Sequence, residues 1–146
     1  MKKQDYNATV AVNVTAEEAF KSINSVSHWW SASFEGRSGK LNDVFTVRFG
    51  EVFITMKVVE LIPYRKIGWE VTDCYKPWLK NKKEWNGTKL SWEISSEKNV
   101  TKISFTHIGL VPDLECYDGC EKAWSFYVKE SLFKLLTEGR GVPELK

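Results

Sequence analysis

The chain has 146 residues, enough for one ordinary domain to bury a hydrophobic core without disulfides or a structural metal. Its 21 basic and 19 acidic residues are spread along the whole length, which differs from the concentrated positive charge of nucleic-acid-binding proteins. Polar residues follow Met1 where a signal peptide needs an apolar stretch, and no run is apolar enough for a membrane span. We therefore expect one domain over residues 1–146, a cytoplasmic location, no nucleic acid partner and no membrane span.

The first predicted elements are a strand and two short helices. Over residues 6–14, small apolar side chains alternate with polar ones, as in a strand with one buried face. Thr15 is a candidate N-cap, and Glu18, three residues later, completes a capping box. A second short helix is predicted over about residues 26–31 and carries the Trp29-Trp30 pair.

Beyond residue 33 apolar residues recur at every second position. The alternation predicts antiparallel strands, each with one apolar and one polar face, around residues 45–49, 54–58, 67–72, 90–94 and 103–107. The connection over residues 74–88 is longer than an ordinary hairpin loop and carries Trp78 and Trp85 among several lysines. We interpret it as a solvated surface or as the rim or lid of a site.

A single long helix is predicted at the end of the chain, over about residues 119–138. Apolar residues recur there at three- and four-residue steps and form one stripe that includes Trp124 and Tyr127. One helix is about 10 Å wide, whereas six or seven strands spaced by about 4.8 Å span about 30 Å. The sheet must therefore curl around the helix.

Several short stretches, in their order along the chain, carry a family resemblance. They are the Trp29-Trp30 pair, the glycine-containing stretch 34–49, Val58-Val59-Glu60-Leu61-Ile62-Pro63 followed by Ile67-Gly68-Trp69, Thr106-His107-Ile108-Gly109-Leu110, and Trp124. With them the chain resembles the START-like (SRPBCC) superfamily, typified by the birch-pollen allergen and polyketide cyclases, and within it the branch related to the activator of heat-shock-chaperone ATPase (AHSA-type). The resemblance covers essentially the whole chain. It implies an α+β helix-grip fold, with a curved antiparallel sheet of six or seven strands, two short helices and a long C-terminal helix.

The resemblance also implies a central cavity between the helix and the sheet, which relatives use for lipids, hormones or polycyclic ligands. The leading prediction is therefore that the chain binds a small apolar or aromatic molecule there. The inward-facing candidates for contact with the ligand are Trp30, Phe45, Phe49, Met56, Trp69, Trp92, Phe105, His107, Trp124 and Tyr127. The same large rings are also big enough to fill the interior themselves.

Two alternatives to a binding module stay open at this stage. The first is a cyclase- or hydratase-type enzyme in which His107 acts as the base, since a neutral imidazole accepts a proton near neutral pH. The second, implied by the resemblance, is a protein-interaction module that regulates a chaperone, as a monomer or a homodimer. The three cysteines, with Cys116 and Cys120 four residues apart, and two widely separated histidines form no metal-binding pattern. We therefore expect neither a metal nor a cofactor.

Overall fold

Seven strands form one antiparallel sheet in the order β1-β7-β6-β5-β4-β3-β2 within the part of the chain that the structure describes. The computed structural model describes residues 5–77, 79–97, 100–111, 114–115 and 117–143, so the sequence predictions for Trp78 and Cys116 lie outside the described residues. The elements are β1 Tyr6–Val12, α1 Ala16–Asn24, α2 Val26–Trp29, β2 Phe34–Gly36, β3 Val44–Phe49, β4 Val52–Ile62, β5 Lys66–Tyr75, β6 Lys89–Glu97, β7 Val100–Ile108, α3 Tyr117–Phe126, a π-helical segment Tyr127–Leu132, and α4 Phe133–Glu138.

The architecture is the helix-grip α+β fold, as predicted. The sheet is curved and closes on the long C-terminal helix. Two bulges interrupt the pairing of β4 with β5, between Thr55 and Met56 and between Val58 and Glu60. Because a bulge bends its strand and increases the local twist, these irregularities help the sheet to curl around the helix.

The predicted capping box fixes the start of α1. The Glu18 backbone N–H donates to Thr15 Oγ1 at 3.0 Å, and the Thr15 N–H donates to Glu18 Oε1 at 3.2 Å. The boundaries elsewhere differ by a few residues from those predicted, since β1 ends at Val12 and α2 at Trp29. No described helix combines the length and apolar character that a membrane crossing requires.

Aromatic rings fill the middle of the interior. Trp92 and Phe105 lie with their ring centroids 4.4 Å apart, and Phe105 lies 4.6 Å from Trp124. Trp29 meets Trp92 edge to face at 5.4 Å. All four of these side chains are fully or almost fully buried. The central space between the helix and the sheet is therefore occupied by the protein's own rings.

The C-terminal helix changes from α to π geometry over Tyr127–Leu132. Ser131 in this segment is fully buried, donates its hydroxyl to the Trp29 carbonyl at 2.6 Å and accepts the Val142 N–H at 2.8 Å. This serine therefore ties α2 and the chain after α4 to the helix. The helical periodicity of the sequence predicts the apolar stripe of this helix, but it does not predict the wider π turn.

We predict that Gly36→Ala destabilises the fold. Gly36 has a φ of +97°, and an added Cβ would overlap the Val44 carbonyl oxygen on the paired strand β3. A side chain in this backbone conformation, with a backbone clash in addition, should lower the free energy of unfolding by more than about 1 kcal/mol. Urea denaturation measures this loss.

Gly39→Ala is the matched control for this experiment, because an added Cβ at Gly39 meets none of the described atoms within 4 Å. Its free energy of unfolding should stay within about 0.5 kcal/mol of that of the unchanged protein. Equal stability of the two variants would contradict the strain assigned to Gly36.

Candidate functional site

A pocket of about 460 Å³ lies at one end of the sheet, where the β3–β4 hairpin turns and α3 begins. We call it the end pocket. Among the residues that line it, Gly119 and Ala123 are exposed on α3, so the pocket opens to solvent beside this helix. Its lining consists of Trp30, Phe49, Val52, Ile54, Lys76, Trp85, Glu115, Gly119, Cys120, Ala123, Trp124 and Tyr127.

The aromatic walls of the end pocket pack against one another. The Trp30 and Trp124 ring centroids lie 4.9 Å apart, and Trp85 stacks on Trp124 at 5.9 Å with an angle of 10° between the planes. Phe49 lies 6.0 Å from Trp30 and 6.1 Å from Tyr127. Because each ring is held by another, the walls are organised before any ligand enters.

The structure divides the residues predicted for the site into two groups. Trp30, Phe49, Trp124 and Tyr127 line the end pocket. The others are fully buried and do not belong to its lining; they are Phe45, Met56, Trp69, Trp92, Phe105 and His107. The rule that alternate strand residues face inward therefore predicts which side of a strand is turned to the interior, but it does not tell core from pocket.

His107 is held in a chain of hydrogen bonds between the helix and the sheet. The Trp124 indole Nε1–H donates to His107 Nδ1 at 3.0 Å, and His107 Nε2 lies 2.9 Å from Thr88 Oγ1. Thr88 Oγ1 in turn donates to the Trp85 carbonyl at 2.7 Å. Since an indole N–H can only donate, Nδ1 is the acceptor, and the neutral imidazole carries its proton on Nε2.

Burial keeps His107 neutral. The side chain has 0% exposure, and its pKa falls from 6.5 to about 3, first because burial disfavours the imidazolium and second because the Lys76 charge repels it. Both nitrogens are engaged by protein groups, and His107 is not among the residues that line the end pocket. This geometry favours a structural role for His107 over that of a base acting on a ligand.

Lys76 is a cationic residue in the largely apolar wall of the end pocket. The residue is only 6% exposed, and its Nζ lies 4.1 Å from the centroid of the Trp85 ring. An ammonium group at this distance from a ring face is attracted by the negative π face. Lys76 was not among the predicted site residues, because a lysine in a lysine-rich connection has the sequence pattern of a solvated surface.

The connection between β5 and β6 is a packed wall rather than an exposed lid. Leu79 and Trp85 are buried in it, and the Lys76 N–H donates to the Lys82 carbonyl at 2.9 Å. Lys83 Nζ lies 2.6 Å from Asp73 Oδ1, and this hydrogen bond lowers the pKa of the Asp73 carboxyl. These contacts fix the segment that presents Lys76 and Trp85 to the end pocket.

Among the described residues, no group of three or more histidine, cysteine, aspartate or glutamate side chains is placed to hold a metal ion. The charged residues in the described lining of the end pocket are Lys76 and Glu115. Glu115 is exposed, and its Oε1 accepts the Lys80 N–H at 2.9 Å. The arrangement suits non-covalent binding of a flat molecule between aromatic walls.

We predict that the free energy of unfolding falls as the pH drops from 7 to 5. The pKa of His107 is about 3 in the folded protein and about 6.5 in an unfolded chain. Between these two pH values the unfolded chain binds a proton at this histidine and the folded protein does not. The contribution of neutral His107 to the free energy of unfolding is therefore fully present above pH 6.5 and is lost as the pH falls. The loss is about 1.4 kcal/mol per pH unit below the unfolded pKa, measured by urea denaturation.

His107→Gln should flatten this pH dependence, whereas His28→Gln, which removes an exposed histidine, should leave it unchanged. The chemical shifts of the His107 ring nitrogens in the unchanged protein give an independent measurement. They should report the neutral Nε2–H tautomer at both pH 7 and pH 5. Protonation of His107 near pH 6 in the folded protein would contradict the assignment.

The sequence matches no protein-family model, and no curated protein matches it at a significant level. Solved structures do resemble it. The Aha1 dimer from Colwellia psychrerythraea has a TM-score of 0.77 and 22% sequence identity, over 97% of this chain and 100% of that chain. DynU16, a putative protein in the dynemicin biosynthetic locus, has a TM-score of 0.71 and 14% identity, over 96% of this chain and 49% of that chain.

A third similar structure is CalU16 from Micromonospora echinospora, with a TM-score of 0.66 and 9% identity over 93% of this chain and 77% of that chain. At these identities the likeness concerns the fold. The helix-grip fold that the sequence resemblance implies is thus confirmed, and the chain shares its fold with the Aha1 and DynU16 structures.

Proposed function

We propose that the chain binds a small apolar, aromatic molecule in the end pocket. The observation that carries this proposal is a pocket of about 460 Å³ with walls formed by Trp30, Phe49, Trp124 and Tyr127. Pockets for small molecules commonly have volumes of about 300–1,000 Å³ and mainly hydrophobic and aromatic linings. A flat ligand there would displace water and contact the faces and edges of the aromatic rings.

The packing of the walls supports the proposal. Trp124 contacts both Trp30 and Trp85 through its ring, and its N–H is bonded to His107. A ligand that enters therefore does not need to order these side chains, which lowers the entropic cost of binding. The rings that fill the centre of the interior limit the ligand to the end pocket and its mouth.

The structural comparisons are compatible with such a role. DynU16 is described as a putative protein in the dynemicin biosynthetic locus, and it shares the fold of this chain. A catalytic variant of the function, with His107 as the base, finds no support in the geometry because both imidazole nitrogens are bonded to protein atoms. The chaperone-regulating role and the choice between monomer and homodimer stay predictions; the similar Aha1 structure is a dimer.

We predict that Ala123→Trp weakens the binding of a neutral aromatic probe, naphthalene-2-carboxamide. Ala123 lines the end pocket, but it is exposed, so an indole there should fill the mouth without disturbing the core. Isothermal titration calorimetry should show the dissociation constant rise by about tenfold or more, since much of the apolar contact area is lost. The melting temperature should change little.

Lys122→Trp is the matched control. Lys122 precedes Ala123 on α3, is exposed and does not line the end pocket, so the variant adds the same indole elsewhere. It should bind the carboxamide as the unchanged protein does. Failure of the unchanged protein to bind any aromatic probe, or equal binding by both variants, would remove the basis of the proposal.

A further inference from the structure

We infer that the ligand of the end pocket is an aromatic anion, whose acidic group pairs with Lys76 while its ring system lies between the aromatic walls. This inference rests on the proposed function and names the chemical class of its ligand. Carboxylic acids and acidic phenols with a flat ring system belong to this class. The geometry that points to it is the position of one buried ammonium group in a wall that is otherwise mostly apolar.

The first step of the argument is the setting of the Lys76 charge. The residue is 6% exposed, and its Nζ lies over Trp85 at 4.1 Å from the ring centroid. Trp85 also lies edge to face against His107 at 4.4 Å, and that imidazole is neutral. A ligand anion beside this ammonium group would interact in surroundings of low polarity, where the attraction is several times stronger than in water.

The second step concerns the acidic residue of the same lining. Glu115 would favour a cationic ligand, but it is exposed and its Oε1 already accepts the Lys80 N–H. Exposed charges are screened by water and salt, whereas buried charges are screened much less. The buried Lys76 should therefore decide the sign of the ligand charge, and Glu115 should contribute less.

The third step is the way in which the wall holds Lys76. Its N–H donates to the Lys82 carbonyl at 2.9 Å, and its carbonyl accepts the Leu79 N–H at 3.1 Å. The backbone at Lys76 is thus fixed by the segment to which it belongs. A fixed backbone limits the region that the ammonium group can reach, so the acidic group of a ligand should lie near that region.

Three probes of nearly equal shape separate this inference from the proposed function: naphthalene-2-carboxylate, the neutral naphthalene-2-carboxamide, and the cationic naphthalen-2-ylmethylammonium. Calorimetry on the unchanged protein should give a dissociation constant for the carboxylate about tenfold below that of the carboxamide, as expected for a charge-assisted hydrogen bond. The ammonium probe should bind most weakly. This comparison needs no variant and therefore does not depend on the folding of one.

Lys76→Met tests the residue. Methionine is similar in length and keeps an apolar contact with Trp85. The variant should therefore lose the tenfold preference for the carboxylate, measured as the ratio of the dissociation constants of the carboxamide and the carboxylate. Lys102→Met removes the same charge from an exposed position on β7 and should keep that preference.

The possible outcomes are distinct. Binding of the carboxamide with no preference for the carboxylate, or tighter binding of the ammonium probe, would overturn the anion inference and leave the proposed function standing. A preference for the carboxylate that persists in Lys76→Met would contradict the pairing of the ligand's acidic group with Lys76. Absence of binding by all three probes would overturn the inference and the proposed function together.

Discussion

The hydrogen bond from the Trp124 indole to the His107 imidazole joins the C-terminal helix to the sheet inside the protein. At 3.0 Å it satisfies the buried polar groups of both side chains, and the Nε2–H of the same imidazole continues to Thr88 and from there to the Trp85 carbonyl. Three parts of the chain are thereby connected: α3, β7 and the segment between β5 and β6. An unsatisfied buried polar group costs about 1–3 kcal/mol, so the connection is strongly favoured over any arrangement that breaks it.

This connection also determines what the interior can hold. It brings Trp85 and Trp124 into a stacked pair while the remaining large rings pack between the helix and the middle of the sheet. The interior therefore has a filled centre and an open end, rather than one continuous cavity. The centre is packed with side chains that lie in ring-to-ring contact, and the end pocket lies outside it, where the helix begins and the β3–β4 hairpin turns.

The connection between β5 and β6, in which apolar residues recur with no regular period, contributes to the chemical character of the end pocket. The connection after β5 supplies both the stacked ring of Trp85 and the ammonium group of Lys76. Its own hydrogen bonds, together with the Lys83–Asp73 ion pair, hold it against the sheet. Most of the apolar wall thus comes from the regular elements, while the connection adds Trp85 and the charge on which the proposed preference for an anion rests.

The sequence by itself determined most of the strands and helices, because apolar residues at every second position predict strands and those at three- and four-residue steps predict a helix. The order of these elements and the family resemblance then implied the helix-grip fold. The sequence also determined the start of α1, since Thr15 and Glu18 form their capping box locally. Only the tertiary structure decided which inward residues line the end pocket. Alternation tells which face of a strand is buried but not how deep a residue lies, so Phe45 and Phe49 share a pattern and only Phe49 reaches the pocket. The roles of His107 and Lys76 depend on partners brought together by folding, such as Trp124 and Trp85, and no local pattern encodes those contacts.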